Sequence, residues 1–441
     1  MKTAIGAVLA LLLAISSGPA VARGLIRDSE VERTLHRMSA PIFQAAGIVP
    51  SSVEIYIIRD RSLNAFVAGG RKMFLHTGLL TKLDTPEELI GVIAHEAGHI
   101  AGGHLARRQI KIRNATGPFL VGQLVALAAG IAGGGPAAAA VAAGSQSALL
   151  RDILRFSRSE EASADQAALE FLARANIDPQ GLLKVIERFR GQEVLTIGSV
   201  DPYVLTHPLS TQRVQLIERR LEESRKDSYP EDPERAYWHR RMRAKLIGFL
   251  DNPDRAISKY QAVGGTEEAL YATAIAEHRL ANTRVALAKV DELMALRPGD
   301  PYYTELKGQI LFETGDPGAA VPLYREASAL VPRDALIRAG LGRALLALND
   351  AAADAEALEV LERAHRDEPS DPIGLRSLAT AYARAGNNGM ATLATAERFA
   401  LAGRTDDAHL HARRASGLLA EGSPGWIRAQ DILALKPLDD G

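Results

Sequence analysis

His95 and His99 stand four residues apart in the stretch IAHEAGHIAG, Ile93 to Gly102, with Glu96 directly after the first histidine. On an α-helix four residues turn about 400°, so the two imidazoles share a face one turn apart, as two neighbouring ligands of a tetrahedral metal would. Glu96 can reach a water held at that metal and take its proton, because the metal makes the water acidic enough for a carboxylate base at neutral pH. A catalytic zinc takes three protein ligands and keeps a fourth position open. Glu161, in Glu161-Ala162-Ser163-Ala164-Asp165, is the candidate third ligand. Asp165 lies four residues on, shares that helix face, and can accept the free ring N–H of a ligand histidine, fixing its tautomer. The bland alternative is a buried helix with incidental polar residues, which would leave three polar side chains in apolar surroundings without partners.

His207, in Thr206-His207-Pro208-Leu209, precedes a proline and so sits on extended backbone. It could fill the open metal position in a resting state or bind the developing oxyanion, and Arg213 could serve the second purpose too. A structural histidine is the alternative reading. His104 follows His99 by five residues, about 140° around the helix, off the ligand face and therefore structural. His76 is a neighbour of the active-site helix. His36, His239, His278, His365, His409 and His411 fall in charged or repeat-like contexts and read as surface residues.

These residues need elements to carry them. Thr85-Pro86-Glu87-Glu88 is a capping box with proline at the first helical position, so a helix begins there and runs to the Gly102-Gly103 pair. A second helix over 157–175 carries Glu161 and Asp165, and a third starts at Asp178-Pro179. Only SSVEIYIIRD, NAFVAGG and RKMFLHTGLL, from 51 to 80, read as strands, with Gly69-Gly70 as a turn. Asn64, Ala65 and Phe66 are candidates for an edge strand whose backbone pairs with an extended substrate, against the alternative of a plain core strand. The Ala- and Gly-rich stretch 117–150 is too short in each apolar run to span a bilayer and reads as a hydrophobic hairpin or flap.

Further along, Pro298, Pro332 and Pro369 end similar helices at separations of 34 and 37 residues. A 34-residue period is that of tetratricopeptide repeats, and Gly308, Leu311, Ala320, Tyr324 and Ala327 fall where that helix-turn-helix unit wants small or bulky residues. About four repeats follow, stacked into an array with a concave face of the kind that binds another protein.

The chain has 441 residues, 47% hydrophobic and 24% charged, with a formal net charge of −1, which gives no global reason to expect nucleic acid. Residues 1–22 have a basic start, a short apolar run and Ala20-Val21-Ala22, the pattern of a cleavable signal peptide. There is no cysteine, so neither a disulfide nor a lipidated cysteine enters the argument.

HEAGH together with SRSEEASAD, NAFVAGG, FLHTGLL and THPLSTQRV resembles the M48 family of zinc metallopeptidases over roughly residues 30 to 220. The resemblance implies one zinc ion per chain, with His95, His99 and Glu161 as ligands, Glu96 as general base and Asp165 as an assisting acid or support. It implies a zincin-like metallopeptidase domain with a small sheet over 23–225; with a charged connecting segment over 226–255 and the repeats as an all-α tetratricopeptide-repeat solenoid over 256–437, the expected fold is α+β and mostly helical. Together with export to the periplasm, it implies cleavage of misfolded or misassembled envelope proteins and a chaperone-like role at the outer-membrane β-barrel assembly machinery. A tetratricopeptide scaffold whose zinc site is mostly held closed is the competing expectation. A peripheral membrane contact stays open.

Overall fold

In a computed structural model the described residues are 24–104, 158–189, 207, 211–223 and 229–435. The expected signal peptide and the 117–150 stretch lie outside them. The chain forms two compact units: Glu32–Arg243, and Ala244–Gly441 together with the N-terminal residues to Val31.

In the first unit, helix α1 (Ser29–Ala45) buries Leu35, Met38, Ile42 and Phe43. Strands β2 (Glu54–Ile58), β3 (Ala65–Ala68) and β4 (Lys72–His76) follow it; the short β1 (Leu25–Ile26) precedes it in the chain, among the N-terminal residues counted with the other unit. β2 runs parallel to β4 and β3 antiparallel to it, which leaves β3 at the edge of the sheet. The β3–β4 turn uses positive φ at both Gly69 and Gly70, backbone that residues with a Cβ resist. After α2 (Thr77–Lys82) comes α3 (Pro86–Ala101), capped as expected: the Thr85 hydroxyl accepts from the Glu88 N–H, and Pro86 opens the helix. Leu89, Ile90, Val92, Ile93, Ala94 and Ala97 are all fully buried, so this helix is apolar around its circumference and forms the unit's core. The unit is completed by α4 (158–174), α5 (Gln180–Glu187) and α6 (Thr211–Glu223).

The dense charge of 226–255 suggests a solvated connection, but most of it is one helix, α7 (Pro233–Leu250). Its charges are paired rather than solvated: Arg243 donates to the Thr81 carbonyl and Asp84, and Arg241 lies over the Trp238 ring. His239, read from sequence as a surface residue, is fully buried. Burial, and then the nearby Arg243 charge, push it down to about 3, so the ring is neutral.

The second unit is all helix: α8 (Pro253–Gln261), α9 (Glu267–Arg279), α10 (Thr283–Leu296), α11 (Pro301–Glu313), α12 (Pro317–Leu330), α13 (Ala335–Ala347), α14 (Ala351–Asp367), α15 (Pro372–Arg384), α16 (Asn388–Leu401), α17 (Thr405–Leu418) and α18 (Pro424–Leu433). Asp300, Asp334 and Asp371 cap the first helices of successive repeats, each accepting backbone N–H bonds. Tyr324 packs between Gly308 and Gly340, and Leu361 covers Gly342, which explains the small residues at these repeat positions. No helix among the described residues is long and apolar enough to cross a membrane.

The N-terminal segment is bound into this unit by polar contacts with residues hundreds of positions away. Arg27 pairs with Glu368 and donates to the Ser370 carbonyl; the Ser29 hydroxyl donates to Asp334; Tyr271 donates its hydroxyl to Glu30. The buried Lys245 ammonium pairs with Asp28 at 2.8 Å and Glu30 at 3.3 Å, with Glu305 at 4.0 Å. Burial raises the Glu305 carboxyl from its usual 4.5 to about 7; Lys245 opposes the rise, and Asp28, Asp334 and Glu30 add to it. A carboxyl raised in the folded state gives stability that is complete below its unfolded value and lost as pH climbs through the folded one. Lys245 stays charged throughout that window, its carboxylate neighbours outweighing the burial that opposes them. Thermal melts from about pH 5 to about pH 8 should show the wild type losing on the order of 2 kcal/mol more than Glu305→Gln. Parallel curves for the two proteins would mean that Glu305 does not titrate in this range.

Candidate metal centre

The helices α3 and α4 bring His95, His99 and Glu161 together, and the single described residue between 190 and 210, His207, joins them. One donor atom from each lies within 4.8 Å of all the others. The distances are more telling: His95 Nε2 is 3.2 Å from His99 Nε2 and 3.2 Å from Glu161 Oε2, and His99 Nε2 is 3.2 Å from Glu161 Oε1. His207 Nδ1 stands 3.3 Å from His95 Nε2 and 3.1 Å from Glu161 Oε2. Four donors at zinc bonding lengths of about 2.0–2.2 Å around a tetrahedron are separated by about 3.3–3.5 Å. All four are buried, as a metal site in a helical core requires.

The close approach of α3 and α4 is encoded by Gly98 inside the motif. A Cβ there would meet the Ala164 carbonyl oxygen at 2.8 Å, so any larger residue pushes away the helix that carries Glu161.

Supports outside the cluster settle which ring nitrogen faces inward. His95 Nδ1 is 2.9 Å from Asp165 Oδ1, an acceptor only, so Nδ1 carries the proton and Nε2 presents its lone pair. His99 Nδ1 is 2.9 Å from His104 Nδ1, which makes His104 the partner of His99 on its far side. His104 is off the ligand face, and nothing in its spacing from His99 signals this contact. Asp165 is itself clamped by Arg213, with Nε to Oδ2 at 2.7 Å and Nη2 to Oδ1 at 2.9 Å. Arg213 also reaches Glu161 Oε2 at 3.1 Å. Offered by the sequence as an oxyanion donor, Arg213 has its guanidinium taken up by carboxylates here, 3% exposed, and serves the electrostatics of the ligands instead.

The field in the site calls for positive charge. Burial opposes a proton on His95, yet the Asp165 and Glu161 carboxylates outweigh it and raise the ring to about 10. Burial pushes His99 down, with His95 adding to the effect. Burial would raise Glu161 and Asp165, but His207, then His95 and His99, hold Glu161 low, and Arg213 and His95 hold Asp165 low. A proton on His95 and a cation among the four donors would answer the same field.

Glu96 is fully buried and neither of its carboxylate oxygens accepts a hydrogen bond. Such an orphan is costly unless a solvent molecule or reacting group is to sit beside it, and it lies on the helix that supplies both histidines. Its nearest polar neighbour is His207 Nε2, 3.4 Å away. That same Nε2 is 3.1 Å from the Ala65 carbonyl oxygen on β3. Asn64 and Ala65 are buried at this edge, and Phe66 stacks on Phe74 with ring centroids 4.9 Å apart. The structure thus places all ten candidate residues within one unit.

Known proteins resemble the chain on the same lines. The family model of peptidase family M48 matches residues 26–221, and that of the tetratricopeptide repeat matches 271–335 and 305–369. The chain is similar to the beta-barrel assembly-enhancing protease of Yersinia pestis, 24% identical over 409 residues that cover 90% of this chain and 80% of the relative. It is similar to a putative beta-barrel assembly-enhancing protease of Vibrio cholerae, 30% identical over 193 residues, 43% of this chain and 39% of the relative. The mitochondrial metalloendopeptidase OMA1 of Schizosaccharomyces pombe is 31% identical over 197 residues, 44% of this chain and 53% of the relative.

Proposed function

Because residues 26–221 are a peptidase family M48 domain followed by tetratricopeptide repeats, we propose that this metalloprotease is an exported zinc endopeptidase that cleaves misfolded or misassembled envelope proteins. In this reading it acts in the periplasm with a chaperone-like role in outer-membrane β-barrel assembly, its repeats engaging the assembly machinery. The name of the Yersinia relative, which matches along most of the chain, supports that setting. The observation that carries the chemistry is the meeting of three ligand-like side chains with a Glu96 carboxylate that accepts no hydrogen bond.

His95 and His99 would hold the zinc through Nε2 and Glu161 through its carboxylate. Bound there, zinc would supply Lewis acidity, polarising the scissile carbonyl and lowering the pKa of a water. Glu96 takes the proton of the attacking water and passes it to the departing amine nitrogen. Asp165 fixes the His95 tautomer, and Arg213 keeps Asp165 ionised while also pairing with Glu161. The β3 edge at Asn64, Ala65 and Phe66 aligns an extended substrate by main-chain pairing.

One observation favours a second reading. His207 Nδ1 already stands among the donors, which suits a scaffold or chaperone whose zinc site is mostly held closed.

Metal removal tests the assignment. Purified full-length protein should contain one zinc per chain, cut casein, lose cutting after chelation and regain it when zinc is returned. Cutting that survives complete removal of metal would overturn the zinc mechanism.

A further inference from the structure

Several arginines of the repeat unit are ion-paired. Arg297 binds Glu267, Arg325 binds Glu356, Arg338 binds Asp367, Arg384 binds Asp354 and Arg428 binds Glu397. Three arginines without such a partner meet at one place. Arg376 on α15, Arg398 on α16 and Arg414 on α17 line one open groove of about 470 Å³, and no carboxylate lines it with them. Arg376 and Arg414 are exposed and Arg398 is half-buried; Arg398 lies over the Phe399 ring, and none of the three has an ion-pair partner among the described residues. The rest of the lining is small and neutral: alanines, Asn388, and the hydroxyls of Thr380, Thr392 and Thr395. Cations around a floor of short side chains let a peptide backbone lie close while its acidic side chains reach the guanidinium forks.

We infer that this groove docks an acidic, extended segment of a partner protein. The inference rests on the reading of the repeat unit as the protein-binding part of the chain, and adds the chemistry of what it takes. His411 at the groove rim carries the imprint of the surplus charge: burial lowers its proton affinity, and Arg414 and then Arg398 lower it further against the pull of Asp407. Nucleic acid fits less well, because base stacking needs open aromatic faces and the single ring at the groove, His411, is already stacked on Phe399 at 5.3 Å.

The test uses the full chain and a fluorescein-labelled aspartate-rich peptide, with its asparagine counterpart as control, followed by anisotropy. The aspartate peptide should bind, weaken as salt rises, and lose about tenfold or more in affinity when Arg376→Glu and Arg414→Glu are combined. Cleavage of a short uncharged peptide and helical content should not change, since both arginines are exposed and lie in the repeat unit. The milder pair Arg376→Gln and Arg414→Gln should fall between. No binding to the wild type, or equal binding to both, overturns the inference, as does charge-reversible binding of phosphatidylglycerol vesicles or single-stranded DNA in place of the peptide. Binding of an unfolded β-barrel polypeptide is measured alongside. If the chain binds that polypeptide but not the acidic peptide, the groove assignment fails and the broader reading stands; if it binds neither, both fail.

Discussion

Glu96→Gln should lower casein cleavage by about 10²–10⁴-fold while zinc stays bound at one per chain. The substitution keeps the size and shape of the side chain and removes the carboxylate proposed to accept the proton of the attacking water. The metal should stay because Glu96 contributes no atom to the cluster formed by His95, His99, Glu161 and His207. Stability should hold or rise slightly, because a buried carboxylate with neither oxygen hydrogen-bonded costs free energy that a neutral amide costs less of. The contrast with Glu161→Gln is the useful control: that variant should lose metal as well as activity, since its carboxylate is 3.2 Å from both ring nitrogens. Undiminished cleavage by Glu96→Gln would remove the residue from the mechanism. Loss of zinc in the same variant would make it a ligand.

Much of this site is legible in the sequence because its geometry is local. A helix start marked by Thr85 and Pro86, two histidines at a four-residue spacing, and Glu161 with Asp165 at the same spacing all follow from helical periodicity. The repeats are legible for the same reason, since Asp334 caps a helix one period after Asp300. What the sequence hides is contact between distant positions. Nothing local in Arg27 to Glu30 announces that they bind Glu368, Asp334 and Tyr271, because such contacts have no period. The burial of His239 was hidden by the charged residues around it, whose ion pairs form only in the fold. Proximity of Arg213 to the metal motif can be inferred from sequence, while its clamp on Asp165 depends on how α6 meets α4. The least legible contact of all is that of His207 with Ala65, because the acceptor is a backbone carbonyl and any residue type would supply it.

That carbonyl gives the second large effect, at His207. The Ala65 oxygen can only accept, so a hydrogen bond from His207 at 3.1 Å puts the ring proton on Nε2 and leaves the lone pair on Nδ1, the atom that stands among the metal donors. In this pose His207 occupies the position a catalytic site must keep open, and it also uses an acceptor on the strand edge where an extended substrate would pair. His207→Ala should therefore raise casein cleavage by about tenfold, the scale of one ligand contact and one hydrogen bond released. Zinc content should be unchanged, since His95, His99 and Glu161 remain. A readout independent of turnover comes from loading the protein with cobalt(II), whose visible absorption reports its ligands: the wild type and His207→Ala should differ, and adding an uncleavable peptide to the wild type should move its spectrum toward that of the variant. A fall in cleavage with no change in the cobalt spectrum would instead make His207 a donor to the transition state, and the open form would then be the resting one.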